Sequence, residues 1–198
     1  MTMLVLKTKN LSLDEVARAV SYINGVRQEK DLEKKQLKAE DVQQIIRFVG
    51  SVNNKQCQLL KDNAVTLLRL MPSLLAAKSS MTVHGGIRIA VPVVKEMYEQ
   101  NPNSQEGQKY KAILERAGKV CFHPRLTATT EERRIWEFGI FKDIIGETPE
   151  YKHALLRYQS RHKAGLRKLF ELSTDAPNAV PRGGRGQMLV FGRDQLRR

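Results

Sequence analysis

Residues 54–71 read NKQCQLLKDNAVTLLRLM. Leu60, Ala64, Leu67, Leu68 and Met71 recur at intervals of three, four and seven, the spacing that gathers side chains on one face of a helix with ~3.6 residues per turn. This is the most hydrophobic helix the sequence offers. Pro72 should end or kink it, because proline donates nothing to the ladder and its ring clashes with the preceding turn. A short helical turn, SLLAAK (73–78), is expected to follow.

The same period holds upstream. In LSLDEVARAVSYINGV (11–26), Ser12 and Glu15 have the spacing of a capping box, each satisfying a backbone donor of the first turn. Val16, Val20, Ile23 and Val26 then share a face. RQEKDLEKKQLK (27–38) is a charged stretch, readable as a solvated loop or as the start of the next helix. AEDVQQIIRFVGSV (39–52) sets Val42, Ile45, Ile46 and Val49 together on another amphipathic helix.

Downstream, SSMTVHGGIRIAVPVVKEMYEQNPNS (79–104) is open to two readings, strand or kinked helix. The composition of VVKEMYEQ favours a helix from about Ile87 to Glu99, with Gly85–Gly86 read as a break. SQEGQKYKAILERAG (104–118) aligns Tyr110, Ile113, Leu114 and Ala117, with Gly118 as a C-terminal stop. KVCFHPRLTA (119–128) reads as extended connection. Thr129 and Glu132 suggest a second capping box, opening EERRIWEFGIFKDIIG (131–146). Thr148 caps a last helix with Pro149 at its first position, and its pattern runs to about Leu172.

The pattern therefore predicts an all-α protein, a compact bundle of seven or eight helices with short extended terminal arms. The arms are MLVLK (3–7) and MLVFG (188–192), apolar segments that resemble each other. The helical domain spans 1–173, with room for two lobes meeting near 79–104. A basic Arg/Gly-containing arm fills 174–198.

Charge points to a partner class. The chain of 198 residues has 34 Lys and Arg against 21 Asp and Glu, a formal net charge of +13. Residues 152–198 carry eleven of the cations and three of the acids, +8 of that total. A basic end of this kind attracts polyanions. On the last helix, Tyr151, Leu155, Tyr158, Leu166 and Leu169 gather on one side. Arg157, Arg161 and Lys168 fall within about 40° of one another on the other, flanked by His153, Arg167 and, further round, Lys163, and Lys152 is counted with them as a nucleic-acid-binding residue. Few acids interleave them, whereas a merely solvated face usually mixes signs.

In the tail, Arg182 and Arg185 alternate with glycine, and Arg193, Arg197 and Arg198 follow. Guanidinium forks pair bidentately with phosphate oxygens, and glycine lets the backbone approach them. The composition resembles the arginine–glycine segments of RNA-binding proteins. Met188, Leu189, Val190 and Phe191 interrupt it as an apolar tetrad, read as an arm that docks on this chain or on another copy.

Other chemistry is poorly supported. Cys57 and Cys121 lie in apolar surroundings and read as buried thiols of a reducing compartment, not as a disulfide framework. Cys121 and His123 form a C-x-H pair, but zinc sites bring two close pairs. GGIRIA (85–90) lacks the Lys-Ser/Thr of a phosphate-binding loop. Glu131, Glu132 and Glu137, with Arg133 and Arg134, read as solvated charge at a helix start. Trp136, Phe138, Phe141, Tyr151 and Tyr158 sit at helical spacing and read as core more than as stacking platform.

The expectation is thus a non-enzymatic protein without cofactor or metal, binding RNA or another single strand mainly through phosphates, nucleocapsid-like or RNA-sequestering, and forming homo-oligomers. It would be intracellular, in the cytoplasm or packaged in a virion, with no signal peptide in MTMLVLKTKN. Three alternatives stay open: a helix-turn-helix DNA regulator built on the first helices, a matrix-type protein on anionic membrane, and a protein–protein adaptor.

Overall fold

The computed structural model describes residues 11–52, 57–126 and 130–161. These form seven α-helices: α1 (Leu13–Val26), α2 (Ala39–Ser51), α3 (Gln58–Ala76), α4 (Ser80–Gln100), α5 (Gln105–Cys121), α6 (Glu131–Ile145) and α7 (Pro149–Arg161). A 3-10 turn, Leu32–Lys34, lies between α1 and α2. No strand occurs among the described residues. The all-α bundle is as the periodicity predicts; the terminal arms lie outside the described residues.

The capping box of α1 forms as its sequence dictates. Ser12 Oγ accepts from the Glu15 backbone at 3.2 Å, and Glu15 Oε2 accepts from the Ser12 backbone at 3.0 Å. The centre of the bundle is the α3–α4 hairpin. A Schellman-type turn joins the two helices, with Ser79 N–H donating back to Leu74 and Lys78 in the left-handed region at φ 59°. Both helices are buried nearly all round: Leu67, Leu68, Leu70, Met71 and Leu74 from α3, and Val83, Ile87, Ala90, Val91 and Val94 from α4. The buried apolar residues make one continuous cluster running from Ala19 of α1 to Tyr158 of α7.

Four boundaries differ from those expected, and packing explains the first three. α3 continues through Pro72 to Ala76, so SLLAAK is its last turn and not a separate element. α4 begins at Ser80 and runs through Gly85, Gly86 and Pro92. The glycine pair is a point of close approach, not a break. A Cβ on Gly86 would lie 2.8 Å from Met71 Cε, and one on Gly85 would lie 3.2 Å from Val49 Cγ1. α5 passes Gly118 and ends at Cys121, because Gly118 admits Ile145 and Phe141 of α6 against the helix backbone. The N-cap of α6 is Thr130, whose side chain accepts from Arg133 N–H; Thr129 lies outside the described residues. For α3, α4 and α5, burial of an apolar face outweighs a local propensity cost of about 1–3 kcal/mol.

Residues 27–38 are neither simple loop nor helix start. Their 3-10 turn is tied to the bundle by Arg69 of α3, which donates to Glu33 at 3.0 Å and to the carbonyls of Glu29 and Lys30. Arg116 of α5 meets the same Glu33 oxygen at 2.7 Å, and Ser73 Oγ donates to the Leu32 carbonyl. The connection between α1 and α2 is therefore twelve residues long and docked. A helix-turn-helix needs a turn of about 3–4 residues.

Candidate nucleic-acid interface

α7 begins where Thr148 Oγ1 lies 3.5 Å from the Tyr151 N–H and Pro149 takes the first helical position. Its inner face is Tyr151, Ala154 and Tyr158, all buried. Tyr151 O–H donates to the Phe138 carbonyl at 2.8 Å, and its ring meets Phe138 and Phe122 edge-on at 5.4 and 5.1 Å. Tyr158 packs on Phe138 at 5.5 Å. Leu155 is half-buried. These contacts fix how α7 is rotated about its own axis.

The rotation leaves Lys152, His153, Leu156 and Arg157 exposed, so Lys152 and Arg157 meet solvent. They are not equivalent. Lys152 is held at 2.6 Å by Glu147, five residues earlier, a partner that a search at four-residue spacing misses. That hydrogen bond, together with the Lys152 charge, holds the Glu147 carboxyl below the usual range. Arg157 and His153 make no ion pair with any described residue. Arg161 is the last described residue, and the expected continuation to about Leu172 lies outside the described residues. Lys163, Arg167, Lys168, Arg182, Arg185, Arg193, Arg197 and Arg198 lie outside the described residues, as do Met188, Leu189, Val190 and Phe191.

A half-open cleft of about 540 Å³ runs beside this face. Phe122, Pro124 and Pro149 give it apolar walls. Glu150, His153, Leu156 and Arg157 line its α7 side. Leu156 is 62% exposed and adds apolar surface beside Arg157. The aromatic residues weighed as stacking platforms are occupied inside: Phe138, Phe141, Tyr151 and Tyr158 are buried, and Trp136 is half-buried against the core.

The sequence reading missed a second cluster. Glu137 is 1% exposed, not solvated. Its Oε1 lies 2.7 Å from His84 Nδ1 of α4 and its Oε2 2.7 Å from Arg134. Arg134 also donates to the Cys121 carbonyl at 3.2 Å, and its guanidinium lies over the rings of Phe122 and Phe138. A signal existed: Glu137 precedes Phe141 by four and Arg134 precedes Glu137 by three, which puts all three on the stripe that α6 buries. Burial pushes the Cys121 thiol well up, and neighbouring Glu137 adds to the effect against the opposing pull of Arg134. A thiol so placed is a poor nucleophile. His123 is a turn residue whose Nδ1 accepts from the Arg125 backbone at 3.1 Å. No group of three or more His, Cys, Asp or Glu able to hold a metal ion occurs among the described residues.

No protein-family model, curated protein or solved structure matches the chain. No described helix is long and apolar enough to cross a membrane.

Proposed function

We propose that this protein is a non-enzymatic binder of RNA or other single-stranded nucleic acid, gripping phosphates with the outer face of α7 and the basic segment that follows. The observation that carries the reading is the exposed Arg157, free of any described acid and beside His153, at the head of the run in which eleven cations meet three acids. An arginine with no acidic partner presents its full fork to phosphate oxygens. Because the candidate aromatic rings are packed inside, phosphate contacts dominate the affinity. Self-association through Met188–Phe191, as in nucleocapsid-like assemblies, belongs to the same proposal.

Purification gives the plainest test. Protein prepared without nuclease should carry nucleic acid, seen as a raised ratio of absorbance at 260 to 280 nm, and should lose it on nuclease and high-salt treatment. Protein that is free of nucleic acid from the start, binds no added single strand at low salt, and floats with anionic vesicles would point to a membrane surface instead.

A further inference from the structure

The cleft beside α7 contains a feature that phosphate binding leaves unexplained. Glu150, His153 and Arg157 are spaced i, i+3 and i+7, so they form one stripe along the helix, its ends about 10 Å apart. A carboxylate on a surface that only met phosphates would repel its ligand. Glu150 makes no ion pair or hydrogen bond with any described residue, and Phe122, Pro124, Pro149 and Leu156 supply an apolar trough beside it.

We propose that this cleft holds one unpaired nucleotide of the bound strand and favours guanine. The inference rests on the function proposed above and adds base selection to it. An ionised carboxylate only accepts hydrogen bonds, and its two oxygens match two parallel donors. Guanine presents two on its Watson–Crick edge, N1–H and the N2 amino group; adenine and cytosine present one amino group, and uracil one imino N–H. With the base edge on Glu150 and its flat faces against Pro124, Pro149 and Leu156, the nucleotide's own phosphate reaches toward Arg157, with His153 between. The volume of about 540 Å³ accommodates a nucleotide. Glu150 also sits in the first turn of α7, where an acid suits the helix dipole. That role alone gives no discrimination between bases.

The test is a set of fluorescence-anisotropy titrations of the intact chain with three labelled single strands of equal length: oligouridine, the same strand with one central guanosine, and the same with inosine, which lacks the N2 amino group. The guanosine strand should bind roughly three- to tenfold more tightly than oligouridine, with inosine between. Glu150→Ala should bind oligouridine at least as tightly as the parent, because a repelling charge is gone, and should lose the guanosine advantage. Leu156→Ser should reduce that advantage without changing the salt dependence. Equal, salt-sensitive binding of all three strands would overturn base selection while leaving phosphate binding intact. Inosine equal to guanosine would place recognition on the other base edge and remove Glu150 from it. Binding to none of them would sink both proposals.

Discussion

Glu137 of α6 and His84 of α4 meet in the interior at 2.7 Å, joining two helices that start about fifty residues apart in sequence. Arg134 occupies the other carboxylate oxygen, so the buried acid is met on both sides. Removing one partner of such a group leaves charge stranded in a low-dielectric site. Glu137→Ala should therefore lower stability by about 3–5 kcal/mol, read as a shift in the midpoint of urea unfolding. Glu137→Gln keeps the shape and one acceptor and should cost less. A loss below about 1 kcal/mol for the alanine variant would show that the cluster is not holding α4 to α6.

Two glycines should respond with opposite signs. A Cβ on Gly118 would lie 2.5 Å from Ile145 Cδ1 and 3.0 Å from Phe141 Cδ1. Gly118→Ala should therefore destabilise by about 1–3 kcal/mol through overpacking. Gly25 of α1 is exposed and has nothing within 4 Å of a built Cβ. Gly25→Ala should stabilise by roughly 0.5–1 kcal/mol, because alanine gives up less backbone freedom in a helix. Thermal unfolding of the two variants checks both signs.

Acid stability should depend on Glu33. Burial alone would raise its pKa, but the Arg69 hydrogen bond, with the charges of Arg69 and Arg116, outweighs it and leaves the carboxyl below the usual 4.5. A lowered folded-state value means that Glu33 contributes stability above the unfolded pKa and loses it as pH falls through the folded one. Urea midpoints measured from neutral pH downward should show a loss beginning near pH 4.5 that is shallower in Glu33→Gln. Identical acid limbs would rule out this linkage.

How much of this was legible beforehand depends on what each feature is made of. Apolar spacing is a local signal, so six of the seven helices and the inner face of α7 at Tyr151 and Tyr158 follow from periodicity, whereas α4 is legible only in part, from the composition of its second half. Helix ends are decided by what packs against them. Gly85, Gly86 and Gly118 read as breaks in isolation, yet they continue helices because Met71, Val49 and Ile145 need the space. Glu137 shows the same limit for charge, since its partner His84 lies 53 residues away. On α7 the exposure of Lys152, His153 and Arg157 agrees with the wheel, whereas the Glu147 partner of Lys152 and the cleft under Leu156 depend on the turn before the helix and on the α5–α6 corner.

The two thiols should differ in reactivity. Cys57 is half-buried just ahead of α3, whereas Cys121 is fully buried with its pKa raised by burial. A thiol-specific reagent at neutral pH should label Cys57 in the native protein and reach Cys121 only as the chain unfolds, at a rate that denaturant accelerates. Equal, fast labelling of both would contradict the packing of Cys121 between α5 and α6.

Salt dependence tests the central claim most directly. Affinity for a labelled single-stranded RNA should be measured across a salt series for the parent chain and for the triple variant Arg157→Ala, Arg161→Ala, Lys168→Ala, with circular dichroism confirming equal helicity. Each phosphate contact on a single strand contributes about 0.7 to the slope of log affinity against log salt, so losing three should flatten that slope by about 2 and weaken binding at low salt. A variant that binds with the parental affinity and slope would show that these three cations are solvated surface and that the proposed function is wrong.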